Sequence, residues 1–174
     1  MRRPHFKKLT LAVTIASLAV TLTGCSGAGP NAATRMIKQV TDGAEARITA
    51  EGNNLSIVNA LLVATEDGSA VVVGTMVNYL DTPDELLGIY AGGVQATISG
   101  EKTLFKNKPL RFEGDLATSK AVFSGVGAEA GKHVTVTFAF ARAGEVKVNA
   151  IIRDKRDDYA AVTTGAKLTT DAAK

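Results

Sequence analysis

Two stretches near the C-terminal end alternate with a period of two and frame a short turn. In 134–141, Val134, Val136, Phe138 and Phe140 share one face, and Thr135, Thr137, Ala139 and Ala141 share the other. After Ala143-Gly144-Glu145 the alternation resumes, with Val146, Val148, Ala150 and Ile152 opposite Lys147, Asn149, Ile151 and Arg153. Successive Cβ atoms on a strand point to opposite faces, so the pattern predicts a β-hairpin. Upstream, 55–65 (LSIVNALLVAT) and 70–80 (AVVVGTMVNYL) are apolar on both faces and flank the turn Glu66-Asp67-Gly68-Ser69. Runs of that kind predict strands covered on both sides, inside a two-layer sandwich. Pro83 cannot donate to a ladder, and Asp81-Thr82-Pro83-Asp84 ends the second run.

Shorter strands are expected at 86–90 and 94–99, separated by Gly92-Gly93, and again at 103–105, 110–112 and 121–123. Residues 35–54 are ambiguous. Met36, Ile37 and Val40 fit a short helical turn, while Ala46-Arg47-Ile48-Thr49 fits an edge strand. The chain beyond Asp154 is polar and small, and 155–174 is expected to be a mobile tail. About seven to nine short antiparallel strands at turn spacings of about 8–12 residues make an all-β, immunoglobulin-like sandwich over 55–154.

The first 24 residues read differently. Met1 to Lys8 carries Arg2, Arg3, Lys7 and Lys8, and 9–22 (LTLAVTIASLAVTL) is apolar or small throughout. A basic segment followed by an apolar run of this length predicts a secretory signal. It is short for a transmembrane helix, which needs roughly 20 apolar residues. Leu22-Thr23-Gly24-Cys25 then gives the order Leu, small residue, Gly, Cys that a lipoprotein signal peptidase reads. Cys25 is expected to become the lipidated first residue, with 1–24 cleaved. Two acyl chains, each buried methylene adding about 0.8 kcal/mol, would hold the protein on the membrane's extracytoplasmic face. Residues 25–54 then comprise the lipidated Cys, a flexible linker starting Ser26-Gly27-Ala28-Gly29-Pro30, and the ambiguous lead-in segment.

Cleavage also changes the charge. The formal net charge of +3 includes four basic leader residues and no leader acid. Without them, sixteen Lys and Arg remain against seventeen Asp and Glu. A near-neutral domain of this kind offers no electrostatic footprint for nucleic acid. Cys25 is the chain's only cysteine, so no intramolecular disulfide is possible and stability must come from packing.

Little in the chain suggests catalysis. No Gly-x-Ser-x-Gly elbow is present. Gly127-Ala128-Glu129-Ala130-Gly131-Lys132-His133 has a short phosphate-loop spacing, and His133 stands where a magnesium-binding Ser or Thr belongs. It is read as a polar turn. His133 is the only histidine outside the leader; as a general base it needs a nucleophile and an orienting partner, and otherwise it is a solvated strand start. Met76 lies within an apolar strand and reads as core filler. Asp84-Glu85 and Asp157-Asp158 read as solvated acids. No catalytic residue is assigned, and the chain is expected not to be an enzyme.

The stretch Thr75-Met76-Val77-Asn78-Tyr79-Leu80-Asp81-Thr82-Pro83-Asp84-Glu85-Leu86-Leu87-Gly88-Ile89 resembles the periplasmic copper chaperone family (PCuAC). That family has a strand ending in Asn, an acidic turn and a Leu-rich strand. The resemblance resumes at Ala130-Gly131-Lys132-His133-Val134-Thr135-Val136-Thr137-Phe138 and through Gly144-Glu145-Val146-Lys147-Val148, and it covers roughly residues 54–153. With the lipobox and Asn59-Ala60-Leu61-Leu62-Val63, it is nearest to the actinobacterial LpqE-type lipoprotein branch. The resemblance implies a cupredoxin-like β-sandwich and Cu(I) delivery towards the CuA centre of cytochrome oxidase.

The family binds Cu(I) through Met and His, a soft thioether and imidazole set that suits the ion. From Val77 to Lys132, however, this chain has no His, Met or Cys. On the resemblance, Lys120 and Val122 stand where the family carries a His-x-Met pair. A cation at a ligand position repels a metal ion, which points to a lost copper site. His133, Met76 and Met36 remain as weak candidate ligands, with copper as possible cargo and no cofactor otherwise expected. The sequence therefore points to a lipid-anchored copper-chaperone-like accessory protein that docks on a membrane protein such as the cytochrome oxidase complex. The alternatives are an active Cu(I) chaperone with non-standard or partner-supplied ligands, and an envelope ligand-binding lipoprotein.

Overall fold

The computed structural model describes residues 41–165. The leader, Cys25, Met36 and 166–174 lie outside the described residues. Eleven strands form: β1 Ala44–Ile48, β2 Leu55–Ala64, β3 Ala70–Asn78, β4 Asp84–Ala91, β5 Val94–Gln95, β6 Thr97–Gly100, β7 Thr103–Leu104, β8 Leu110–Arg111, β9 Ser119–Phe123, β10 His133–Phe140 and β11 Gly144–Arg153. The remaining regular elements among these residues are two 3-10 turns, Ala50–Gly52 and Asp157–Tyr159.

The hairpin predicted from alternation is β10–β11, with His133 opposite Ile151 and Phe140 opposite Gly144. Val136, Phe138, Phe140, Val148, Ala150 and Ile152 all join the main core, as their shared face requires. The turn is Ala141-Arg142-Ala143, and Gly144 already belongs to the ladder. Across the core lies the antiparallel pair β2–β3, which contributes Ile57, Leu62, Val72 and Met76. Within the described part of the ambiguous lead-in segment, β1 forms and pairs with β2, where an edge strand was expected; the helical turn expected at Met36, Ile37 and Val40 lies outside the described residues.

Strand pairing follows the path β5-β4-β10-β11-β2-β3-β9-β6, with β1, β7 and β8 attached to β2, β4 and β3. The two halves join where β11 runs parallel to β2, at Ile152↔Leu62 and Arg153↔Val63. The path's two ends meet as well, because β5 and β6 are separated by Ala96 alone. The stretch 94–99 was expected as one strand. It divides because Val94–Gln95 pairs with β4 whereas Thr97–Gly100 pairs with β9. The chain changes sheets at buried Ala96, whose N–H bonds to Ile89. The result is the expected cupredoxin-like β-sandwich, nearly closed on itself, with more and shorter strands than anticipated.

Phe112, Phe123 and Phe138 are fully buried in this core. Truncating such a ring to Ala costs about 3–5 kcal/mol. Of the two faces of β2 and β3, only one meets this core. Leu61, Val63 and Val71 form a second cluster with Val162, flanked by Val73, Val122, Ile151 and Tyr159. Residues 155–165 were expected to begin a mobile tail. Instead they cross the outer sheet face and bury Val162 to 5 % exposure. The second apolar face of these strands is covered by the chain's own C-terminal segment.

Candidate functional site

β9 carries the most unusual side chain of the fold. Ala121 and Phe123 face the main core, so Lys120 and Val122 face outward under the C-terminal segment. Val122 packs with the outer cluster. Lys120 is only 5 % exposed, a rare burial for lysine unless its charge is matched. Its Nζ lies 2.8 Å from Glu113 Oε1, on the loop after β8, with side-chain exposures of 6 % and 15 %. Nζ also donates to the Thr163 carbonyl at 2.5 Å. Glu113 Oε1 makes no aligned hydrogen bond, so its contact with Lys120 is chiefly Coulombic.

A positive charge, a matching carboxylate and a backbone carbonyl thus fill the site at β9. The arrangement satisfies an ammonium and leaves no soft donor facing a metal ion. Sequence reasoning identified Lys120 but missed Glu113, Val162 and Thr163. The available signal was a lysine directly preceding the apolar run Ala121-Val122-Phe123.

The weak candidate ligands are not brought together. His133 opens β10 and is exposed, opposite Ile151. Met76 lies near the C-terminal end of β3, 1 % exposed, opposite Ile57 and Leu110. Its sulfur cannot reach an external ion without unpacking the core. Among the described residues, no group of three or more His, Cys, Asp or Glu is placed to hold a metal ion.

A second polar centre fixes the loops at one end of the sandwich. Asp84 was expected to be solvated, but it is 4 % exposed. Its Oδ1 accepts from the backbone N–H groups of Glu85 and Arg142, each at 2.8 Å, and its Oδ2 accepts from Ala143 at 3.0 Å. The carboxylate is buried because it satisfies the donors of the β10–β11 turn. Neighbouring Glu85 is exposed, as expected. Asn78 is fully buried; its Nδ2 donates to the carbonyls of Thr82 and Leu104, and its Oδ1 accepts from Leu80. The Asn-to-Asp84 loop is therefore a structural knot. The shallow cleft beside it is lined by Pro83, Glu85, Thr103 and Arg142.

No protein-family model and no curated protein matches the chain. Solved structures do. The copper-bound PCuAC domain from PmoF2 is similar with 21 % identity and a TM-score of 0.50, covering 57 % of this chain and 92 % of that domain. The apo PmoF2 PCuAC domain is similar with 18 % identity and a TM-score of 0.50, covering 66 % and 96 %. The apo PCuAC domain from PmoF1 shares 24 % identity, with a TM-score of 0.49 and coverage of 57 % and 93 %. At these identities the likeness is one of fold: the sandwich is copper-chaperone-like in architecture.

Proposed function

We propose that this chain is a lipid-anchored, extracytoplasmic accessory protein of the LpqE type, built on a copper-chaperone-like sandwich that has lost its copper site. It acts by docking on a membrane protein, the respiratory cytochrome oxidase machinery, and not as an enzyme. The observation that carries the reading is the buried Lys120–Glu113 pair on the outward face of β9. If the family's His-x-Met pair aligns with Lys120 and Val122, an ammonium has replaced the imidazole and an alkyl group the thioether. Cu(I) would then meet a like charge at low dielectric and find no soft donor. A retained scaffold without ligands fits a binding role, since function lives in sites and not in folds. The anchor is Cys25, lipidated after removal of 1–24.

The test is a pull-down of the lipidated protein from membranes solubilised in mild detergent, with copper measured on the same sample. Oxidase subunits should co-purify, with copper well below one equivalent per chain on the protein itself. Recovery without any stable membrane partner would count against the docking role.

The exposed imidazole of His133 favours one second reading, an active Cu(I) chaperone for CuA assembly that shares ligands with its partner. Anaerobic Cu(I) titration separates the two. Tight saturation at one equivalent, abolished by His133→Ala, would establish the chaperone and overturn the accessory reading.

A further inference from the structure

The outer face of β2, β3 and β9 is apolar, and the segment that covers it is weakly tied down. Backbone N–H groups of Arg156, Tyr159, Ala160 and Val162 bond to Asp154, Arg156, Asp157 and Tyr159, all within the same stretch. The segment therefore folds on itself and adds no strand to the sheet. Its hold on the sandwich consists of Val162, seated against Leu61, Val63 and Val71, the half-buried Tyr159 beside the same cluster, and the Thr163 carbonyl on Lys120 Nζ. Asp157, Asp158 and Ala160 remain exposed. A hold of one buried aliphatic side chain, one flanking phenol and one hydrogen bond is small enough for a competing peptide to replace.

Beneath the segment lies a complete recognition surface. Leu61, Val63 and Val71 are fully buried, with Val162 of the segment packed against them. Lys120 stands at their margin with a donor aimed at a carbonyl. We infer that this face is a docking groove for a short peptide segment of a partner protein, and that residues 159–163 occupy it in cis as a strap. The partner segment matches the strap's own chemistry: a β-branched aliphatic side chain in Val162's place, followed by a carbonyl for Lys120. The strap supplies the argument for this occupant, because it is a peptide already seated there. The assignment rests on the accessory-protein reading for the partner's identity, but the groove is testable without it.

The probe is a fluorescein-labelled synthetic peptide of residues 156–165, titrated by anisotropy against the full chain in detergent. In the wild-type chain the tethered strap competes at an effective concentration of about a millimolar, so capture is weak. Val162→Asp places a charge in the apolar seat and opens the strap, so capture should tighten by about tenfold or more. Val162→Ala, a milder opening that keeps the strap chemistry uncharged, should give an intermediate gain. Adding Val122→Asp to either variant should abolish capture, and a probe carrying Asp in place of Val162 should bind none of the chains.

Circular dichroism confirms that the variants are folded. Two results overturn the inference: no gain in capture by a folded open variant, or a wild-type dimer that exchanges straps between two copies, seen by sedimentation. A failed membrane pull-down with intact peptide capture would reject the accessory reading and leave the groove standing.

Discussion

The Lys120 ammonium and the Glu113 carboxylate lie 2.8 Å apart on the face of β9 turned away from the main core, and both are largely withdrawn from water. Taking two charges out of solvent costs several kcal/mol each, which their attraction offsets only while both are present. Lys120→Met alone should therefore destabilise the domain by about 3–5 kcal/mol, because it strands the carboxylate. Replacing both with Met should recover most of that loss. Urea denaturation of the two variants reads the difference. A double variant as unstable as the single one would show that the pair is not coupled.

Asp84 predicts a second large effect. Three backbone N–H groups converge on its carboxylate, two of them from the turn between β10 and β11. Asp84→Ala leaves these donors without their partner at the foot of a shallow cleft, where only part of the loss can be made up by water. The expected loss is about 1–3 kcal/mol, the penalty for leaving a buried group unpaired, since the part-buried donors regain some bonding from water. Asp84→Asn keeps one acceptor oxygen and should fall between. Thermal unfolding checks the order wild type, Asn, Ala.

These two acids show what the sequence could and could not convey. The β10–β11 hairpin was legible because Val136, Phe138 and Phe140 repeat at a strand's own period. The both-sided apolarity of β2 and β3 was legible too, but it did not say what would cover the second face. That cover is Val162, a lone aliphatic residue in a stretch of Asp, Ala and Thr, and one residue generates no period. Asp84 follows Pro83 and reads as an exposed turn. Its burial depends on donors from Arg142 and Ala143, 58 and 59 residues away in sequence. Lys120 stood out only through the family resemblance, at the place of the His-x-Met pair, whereas Glu113 and Thr163 became its partners only through folding.

A steric prediction concerns the bulge in β2. Asn59 adopts φ 56°, and its Oδ1 accepts from the Gly43 N–H at 2.8 Å. A Cβ on Gly43 would lie 2.4 Å from the Asn59 carbonyl carbon, which is backbone and cannot swing aside. Gly43→Ala should therefore cost about 1–3 kcal/mol through displacement of β1. Hydrogen exchange at Ala46 and Ile48 should rise if β1 is the element that moves, and unchanged protection there would contradict this account.

The proposed lipid anchor gives a prediction that depends on one sulfur. With Cys25→Ala there is no thiol to accept a diacylglyceryl group, so incorporation of labelled palmitate should disappear while the sandwich remains folded. Membrane fractionation then tests the leader. Release or mislocalisation of the variant is expected, and retention in the membrane would mean that the uncleaved leader anchors the chain unaided.

The strap should also respond to alkaline pH through Tyr159. Burial of its phenol, with the negative Asp42 nearby, raises the Tyr159 pKa above the ordinary value of 10.0. A raised folded-state pKa means that folding favours the protonated phenol over the phenolate. The associated stability is fully present below about pH 10, the unfolded value, and is lost as pH rises through the higher folded value. Tyr159 flanks the cluster that seats Val162, so the charge formed at high pH falls beside the strap's most deeply buried side chain. The urea midpoint of the wild type should therefore decline above about pH 10 more steeply than that of Tyr159→Phe. Parallel declines in the two proteins would place the alkaline sensitivity elsewhere in the fold.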